Sequence, residues 1–586
     1  MVDGHGVSFH FLHLTFQEYL AALYLVRQPT DKQLQLCQSY AGSERFRMVW
    51  IFFFGIKFVI CKQEVDLSVP TALLNRYIYR FRYFYELLFC HFALEANQRN
   101  VNTLIASYII SYDVKLLAHT AFDFAAIIHV LANLRNCSNI NMDLRNCGLG
   151  DKQIAALTSA LAGEHRMLRV KWLNLSACSN KLSDQSLADL FDGASPAFNQ
   201  SLQYVNLLNN NNAIGPKTIN SLTRVLAESH LKLVASELDE WDTSLDLAET
   251  SLGVDGVRAL ADALCANRLA YLQNLSLDGS LTDDANTNAE LILALGSGHC
   301  STLKALNLSR NNLGVPGGKA LGNILPHLRS GLSLELEETM LGDEGISALV
   351  QNLNDTVPCG LAILNLCSNG IQATGILCLA ESLCTGRIEL LSKFDYCIYF
   401  VLDNNLLRLE GVIAVVNIFV SDHFQASSIY LSGCQLTTAG GIATNPDCLN
   451  AVDVQRLICS QRLQTTCSFN EFVVDNNNFS GEGIHILAAF MYACPCMTYL
   501  YCQSCGITSS DLKQLLILLS ELTLKLPYLH GWHLDDNDID DRGVSALTQH
   551  LSVFPKLRYV YLYGNTRVSP GMLKTLKEKL DAGKVH

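Results

Sequence analysis

One short phrase returns through the last three quarters of the chain: two apolar residues two apart, then Asn, Cys or Thr at a turn, then another apolar residue and a helical stretch. LNLSRNNLGVPGGKALGNIL from Leu306 and LNLCSNGIQATGILCLAESL from Leu364 are clean copies. The first apolar position recurs at residues 142, 173, 205, 245, 275, 306, 334, 364, 400, 429, 472, 500, 532 and 560, with steps of 28 to 31 in the tidy copies. Alternation such as Leu306-x-Leu308 describes a short strand with one face buried. The polar corner residue, for which Asn311, Asn369, Asn405, Asn477 and Asn537 are read, bonds backbone groups left over at the turn. Gly345–Val350 and Gly543–Leu547 then carry the Ala and Leu spacing of helices with an inward stripe. No such unit buries its apolar face alone, so neighbours must stack. The expected fold is an α/β solenoid, a horseshoe with parallel strands on its concave face and helices on its convex face. Insertions follow Cys178 and Asn210, and Ser236–Ser244, Ile388–Tyr399 and Thr444–Glu471 read as loops or poorly formed corners.

Composition narrows the function. Of 586 residues, 17% are charged and 49% apolar, which argues against disorder. The net charge of −13 disfavours a phosphate-backbone binder, so no nucleic acid is expected. Residues 1–140 hold 12 basic and 10 acidic side chains, so the acidity belongs to the repeats. The 21 cysteines are odd in number and scattered singly, and Met1–Gly6 lacks the pattern of a signal peptide; a reducing, cytoplasmic setting is expected. The longest apolar run, Val49–Ile56, is far short of the roughly 20 residues that cross a bilayer. Cys494-Pro495-Cys496 with Cys502 and Cys505 has the look of a zinc site, but the repeat register already accounts for Cys502 as a strand residue and Cys505 as a corner, like Cys147, Cys178 and Cys434. No metal is expected. The sequons at Asn174, Asn274 and Asn307 arise from the repeat wording. The acid pairs Asp283-Asp284, Glu337-Glu338 and Asp535-Asp536 stand without a nucleophile pattern.

The repeats resemble the leucine-rich repeat, and their helical second halves resemble its ribonuclease-inhibitor-like subtype. Before them, residues 1–135 lack the period and read as mostly helical, for example over Leu14–Val26 and Tyr83–Ala96. Within Gly6–Val26, Phe11-Leu12-His13 followed by Phe16-Gln17-Glu18-Tyr19-Leu20-Ala21-Ala22 resembles the junction of the winged-helix and second helical domains in NLR proteins, the NACHT and leucine-rich-repeat innate immune receptors. Val49–Ile56 and Leu87–Ala96 fit the same family order. The resemblance implies two parts, 1–135 and a repeat array of about 14 units over 136–586. It also implies that His13 corresponds to a nucleotide-phosphate contact. The family's phosphate-binding loop has no counterpart: Gly314–Ala320 has the wrong spacing and lacks the hydroxyl residue. His13 is therefore read as vestigial, ATP or ADP enters only with an upstream NACHT portion, and no cofactor is expected. The chain reads as the regulatory and sensing half of such a receptor without its motor.

Strand parity supplies the candidate binding face. If Leu500 and Cys502 point inward, Tyr499, Tyr501 and Gln503 point onto the concave face. The same parity adds Tyr430, Val473, Asp475, His533, Asp535, Tyr559, Tyr561 and Tyr563, with Glu335, Glu337 and Asp403 in mid-array. Tyrosine supplies contact area and a hydrogen-bonding tip at low entropy cost. An ordinary variable surface with Tyr559–Tyr563 capping the array is the competing reading. The expected function is a non-enzymatic interaction module of NLR type that takes a protein partner on this face. The alternative is a regulator of a partner enzyme, ribonuclease-inhibitor-like or small-GTPase-activating-like.

Overall fold

The computed structural model describes residues 14–40, 46–60, 68–69, 71–72, 86–96, 102, 114–118, 121–134, 136–145, 147–163, 167–176, 182–208, 214–233, 243–298, 300–328, 330–353, 358–390, 398–419, 424, 426–436, 470–521, 526–580 and 584–585. Phe11-Leu12-His13 lies outside them, as do most of the Ser236–Ser244 and Thr444–Glu471 stretches. Two compact units divide the chain, Met1–Ala263 and Leu264–His586.

The first unit opens on helices. Leu14–Val26 is helical as its apolar spacing predicts, followed by Thr30–Tyr40, Arg47–Phe54 and, from the predicted Tyr83–Ala96, the described part Glu86–Ala96. Aromatic residues form their core: Phe54 stacks on Phe92 with ring centroids 4.4 Å apart, and Trp50 meets Phe53 edge-on at 5.7 Å. Two pairs of buried polar residues bond to each other here. Lys57 donates to Gln33 at 2.9 Å, while Gln33 in turn donates to the Gln28 carbonyl at 2.8 Å. His91 meets Asp123 at 2.7 Å, joining Glu86–Ala96 to the helix Ala121–Asn133. This network satisfies groups that would otherwise cost several kcal/mol to bury (~1–3 each). Parallel strands follow at Val114–Leu117, Asn136–Asp143, Met167–Asn174, Tyr204–Asn206 and Ser244–Asp246, each paired with the next.

The second unit repeats strand and helix in parallel register from Asn274–Ser276 to Lys584–Val585. All fourteen positions expected to begin repeats lie in strands of the two units. Three further strands, Val114–Leu117, Ile388–Leu390 and Lys584–Val585, were not legible. Ile388–Leu390 corrects the reading of Ile388–Tyr399 as a loop: it pairs with the first half of Cys359–Asn365, whose second half pairs with Tyr399–Val401. A seven-residue strand is long enough to serve both neighbours.

The corners work as expected. Asn405 donates to the carbonyls of Leu366 (2.9 Å) and Leu402 (2.8 Å) and accepts from the amides of Asn369 (3.1 Å) and Ile371 (2.9 Å). Asn311, Asn369, Asn477 and Asn537 bond the same way, and Asn565 adds one more. Cys434 and Cys505 substitute with thiol donors to Leu402 (3.0 Å) and Val474 (3.3 Å). Just before the corner, Arg310, Ser368, Asn404, Asn476, Ser504 and Asp536 hold φ between 52° and 58°. Left-handed backbone is costly for residues with a Cβ, and the corner hydrogen bonds compensate it.

Gly314–Ala320, the nearest sequence to a phosphate-binding loop, lies in the helix Gly314–Ile324. Its glycines have a packing reason: a Cβ on Gly318 would stand 2.1 Å from the carbonyl oxygen of Gly345 on the next helix. Among the described residues, no helix is long and apolar enough to cross a membrane.

Candidate functional site

The six strands Tyr399–Val401, Ser428–Tyr430, Glu471–Val473, Tyr499–Tyr501, Gly531–His533 and Tyr559–Tyr561 each bury their central residue, Phe400, Ile429, Phe472, Leu500, Trp532 and Val560. Their flanking residues take the opposite side, the open face of the sheet. Parallel register then stacks these residues in columns. One column runs Tyr399, Ser428, Glu471, Tyr499, Gly531, Tyr559, and the next runs Val401, Tyr430, Val473, Tyr501, His533, Tyr561.

In the second column three rings form a continuous stack. His533 lies between Tyr501, at 4.2 Å and 14°, and Tyr561, at 4.0 Å and 6°. Adjacent parallel strands are ~4.8 Å apart, close to the thickness of stacked rings, so register alone brings them face to face. Burial lowers the basicity of His533, and Asp535, 3.5 Å from its Nδ1, opposes that effect. Tyr499 in the first column covers Gly531; a Cβ there would come within 2.4 Å of the ring.

The expected aspartates sit one step beyond the strands and brace the neighbouring turn. Asp403 accepts the amide of Ser432 at 2.5 Å, Asp475 that of Gln503 at 2.6 Å, and Asp535 that of Tyr563 at 2.8 Å. Burial pushes Asp403 up to about 6, with the charges of Asp475 and Glu337 adding to the rise and the Ser432 hydrogen bonds opposing it. Burial raises Asp475 too. These carboxylates are thus partly structural, which strand parity alone does not reveal.

The structure brings ten of the twelve expected residues onto these six strands and their turns. Glu335 and Glu337 share the face but belong to the repeat of the strand Leu332–Glu335, three strands before Ser428–Tyr430, with Cys359–Asn365 and Tyr399–Val401 between. Tyr563 is 78% exposed. Sequence reasoning missed Tyr399 and Glu471, each set aside as the end of a loop. Alternation in Tyr399-Phe400-Val401 and Glu471-Phe472-Val473 was the signal that could have found them. Glu471 is central here: its Oε2 lies 3.4 Å from both the Tyr430 and Ser428 hydroxyls. Cys502 is fully buried in its strand and Cys505 is held at its corner, so both have packing roles.

The family described as Leucine Rich repeat matches residues 299–322 and 525–547. The chain is 24% identical over 327 residues to "NACHT, LRR and PYD domains-containing protein 14" of Mus musculus, covering 53% of this chain and 25% of that protein. It is 25% identical over 373 residues to "NACHT, LRR and PYD domains-containing protein 12" of Mus musculus, covering 58% and 32%. The alignments thus span between a quarter and a third of these relatives' length. Among solved structures, the "Crystal structure of Rad7 and Elc1 complex in yeast" aligns with 72% of this chain and 81% of that chain, at 15% identity and a TM-score of 0.33. The chain carries leucine-rich repeats, and the curated proteins it is similar to are NLR proteins of the NACHT, LRR and PYD type.

Proposed function

We propose that this chain is a non-enzymatic, cytoplasmic interaction module of NLR type that binds a protein partner on the open sheet face, as a sensor or scaffold in innate immune signalling. The observation that carries the reading is the Tyr501–His533–Tyr561 stack beside the exposed Tyr563. Rings pre-ordered by register lose little entropy on binding, and their polar edges offer hydrogen bonds. Similarity to NLR proteins supports the interaction role over catalysis. In this reading residues 1–135 form the helical part and 136–586 the array, and a nucleotide acts only through a NACHT portion.

A photo-crosslinking amino acid placed at Tyr563 tests it. The expected result in cells is a discrete protein adduct that is absent when the same group replaces Leu377, an exposed residue on a helix. Equal or absent labelling at Tyr563 overturns the reading. Inhibition of a basic ribonuclease by the chain would instead favour the enzyme-regulator alternative.

A further inference from the structure

Charge on the sheet face is one-sided. Leaving aside the short inserted strand Ile388–Leu390, the three face positions of each of the eight repeat strands from Leu332–Glu335 to Tyr559–Tyr561 hold the carboxylates of Glu335, Glu337, Asp403, Glu471, Asp475 and Asp535, and neither lysine nor arginine. Three of these, Asp403, Asp475 and Asp535, already accept backbone amides. Glu471 differs in its surroundings. It stands in register between Ser428 and Tyr499, with Tyr430 and Tyr501 on the next column. Its side-chain contacts are hydroxyls: the Tyr430 and Ser428 oxygens at 3.4 Å. Tyr399 adds a further ring beside Tyr430, with centroids 6.2 Å apart.

A carboxylate that touches one phenol and lies within electrostatic reach of a second has a specific chemical complement. An ammonium or guanidinium group there meets a full negative charge, phenolic oxygens that accept hydrogen bonds, and aromatic faces that attract cations within ~6 Å. The rings also lower the local dielectric and strengthen the ion pair. Burial raises the Tyr430 and Tyr501 phenols, and the Glu471 charge adds to the rise at both, as expected of rings around a carboxylate. We infer that Glu471, with Tyr430 and Tyr501, is the seat for a lysine or arginine side chain presented by a basic segment of the partner protein. This rests on the reading of the open face as the partner-binding face. The six carboxylates along the face would then steer the basic segment toward it.

The test uses the full chain and fluorescein-labelled lysine–glycine, arginine–glycine and glutamate–glycine peptides in an anisotropy titration. Both basic peptides are expected to bind, more weakly as salt is raised, and the glutamate peptide is expected not to bind. Glu471→Gln, which keeps the shape and an acceptor for Tyr430, should weaken binding about tenfold. Tyr430→Leu should weaken it several-fold, with Tyr430→Phe the milder variant. Glu381→Gln, an exposed carboxylate on the helix Ala373–Cys384, should leave it unchanged. Absence of basic-peptide binding, or equal weakening by Glu381→Gln and Glu471→Gln, overturns the cation seat. The crosslink at Tyr563 separates the two proposals: an adduct that persists when the basic peptides fail to bind leaves the interaction face standing without the seat, and loss of both removes both.

Discussion

The imidazole of His533 and the ring of Tyr561 lie parallel within 6°, 4.0 Å apart, on adjacent strands. Burial favours the neutral imidazole and outweighs the opposing Asp535 charge, so the folded chain holds the His533 proton less tightly than the unfolded one. The resulting stability is complete above the ordinary value near ~6.5 and is lost as pH falls through it toward the lower folded value. Urea denaturation followed by tyrosine fluorescence should show His533→Phe losing less stability than the parent between about pH 7.5 and about pH 5.5. An identical loss in both proteins would mean that His533 titrates as it does in the unfolded chain.

Asp403 has the opposite sign. Its carboxyl is pushed up to about 6, so the folded chain holds this proton more tightly, and the stability gained at acid pH is lost as pH rises through about 6. Asp403→Asn keeps an acceptor for the Ser432 amide and removes the half-buried charge. It should raise the denaturation midpoint at about pH 8, with the gain shrinking as pH falls below about 6 and vanishing near about pH 4.

Asn405 serves five backbone groups from a fully buried position. Asn405→Ala should cost ~3 kcal/mol or more, since it strands buried carbonyls and amides. Asn405→Asp should fare little better, because a carboxylate has no donor for Leu366 and Leu402. Hydrogen exchange should show protection lost in the repeats on either side of the corner.

Gly531→Ala should displace the Tyr499 ring, because its Cβ would come within 2.4 Å of Cδ1. A cost of ~1–3 kcal/mol is expected from this overpacking. Tyr499→Ala made in addition should recover most of it, and a double-mutant cycle in urea gives the coupling directly. Additive effects would show that the ring is free to move aside.

The place of Asn405 at a corner and the inward faces of Leu306, Phe400 and Leu500 were legible because they depend on local spacing, whereas three of the bonds of Asn405 reach Leu366, Asn369 and Ile371 in the preceding repeat. A period of about 30 residues, a two-residue alternation and one polar corner leave a chain few ways to bury its apolar surface. Parity likewise places Tyr501, His533 and Tyr561 on one face. Ile388–Leu390 was not legible, since its pairing depends on how far Cys359–Asn365 extends on the other side of the sheet ladder. Glu471 was hidden for a related reason: its meaning comes from neighbours 41 and 43 residues earlier, Tyr430 and Ser428. The aspartates looked like surface charge but accept amides from the following repeat, Asp403 from Ser432 and Asp535 from Tyr563. By itself, then, the sequence determined the repeat, its inward residues and the side of the sheet on which the tyrosines stand, because chain geometry fixes those within a few residues. Register between strands decided which side chains touch, because hydrogen bonding sets it across ~4.8 Å between segments far apart in the chain. From that register came the His533 stack, the bracing aspartates and the two hydroxyls beside Glu471.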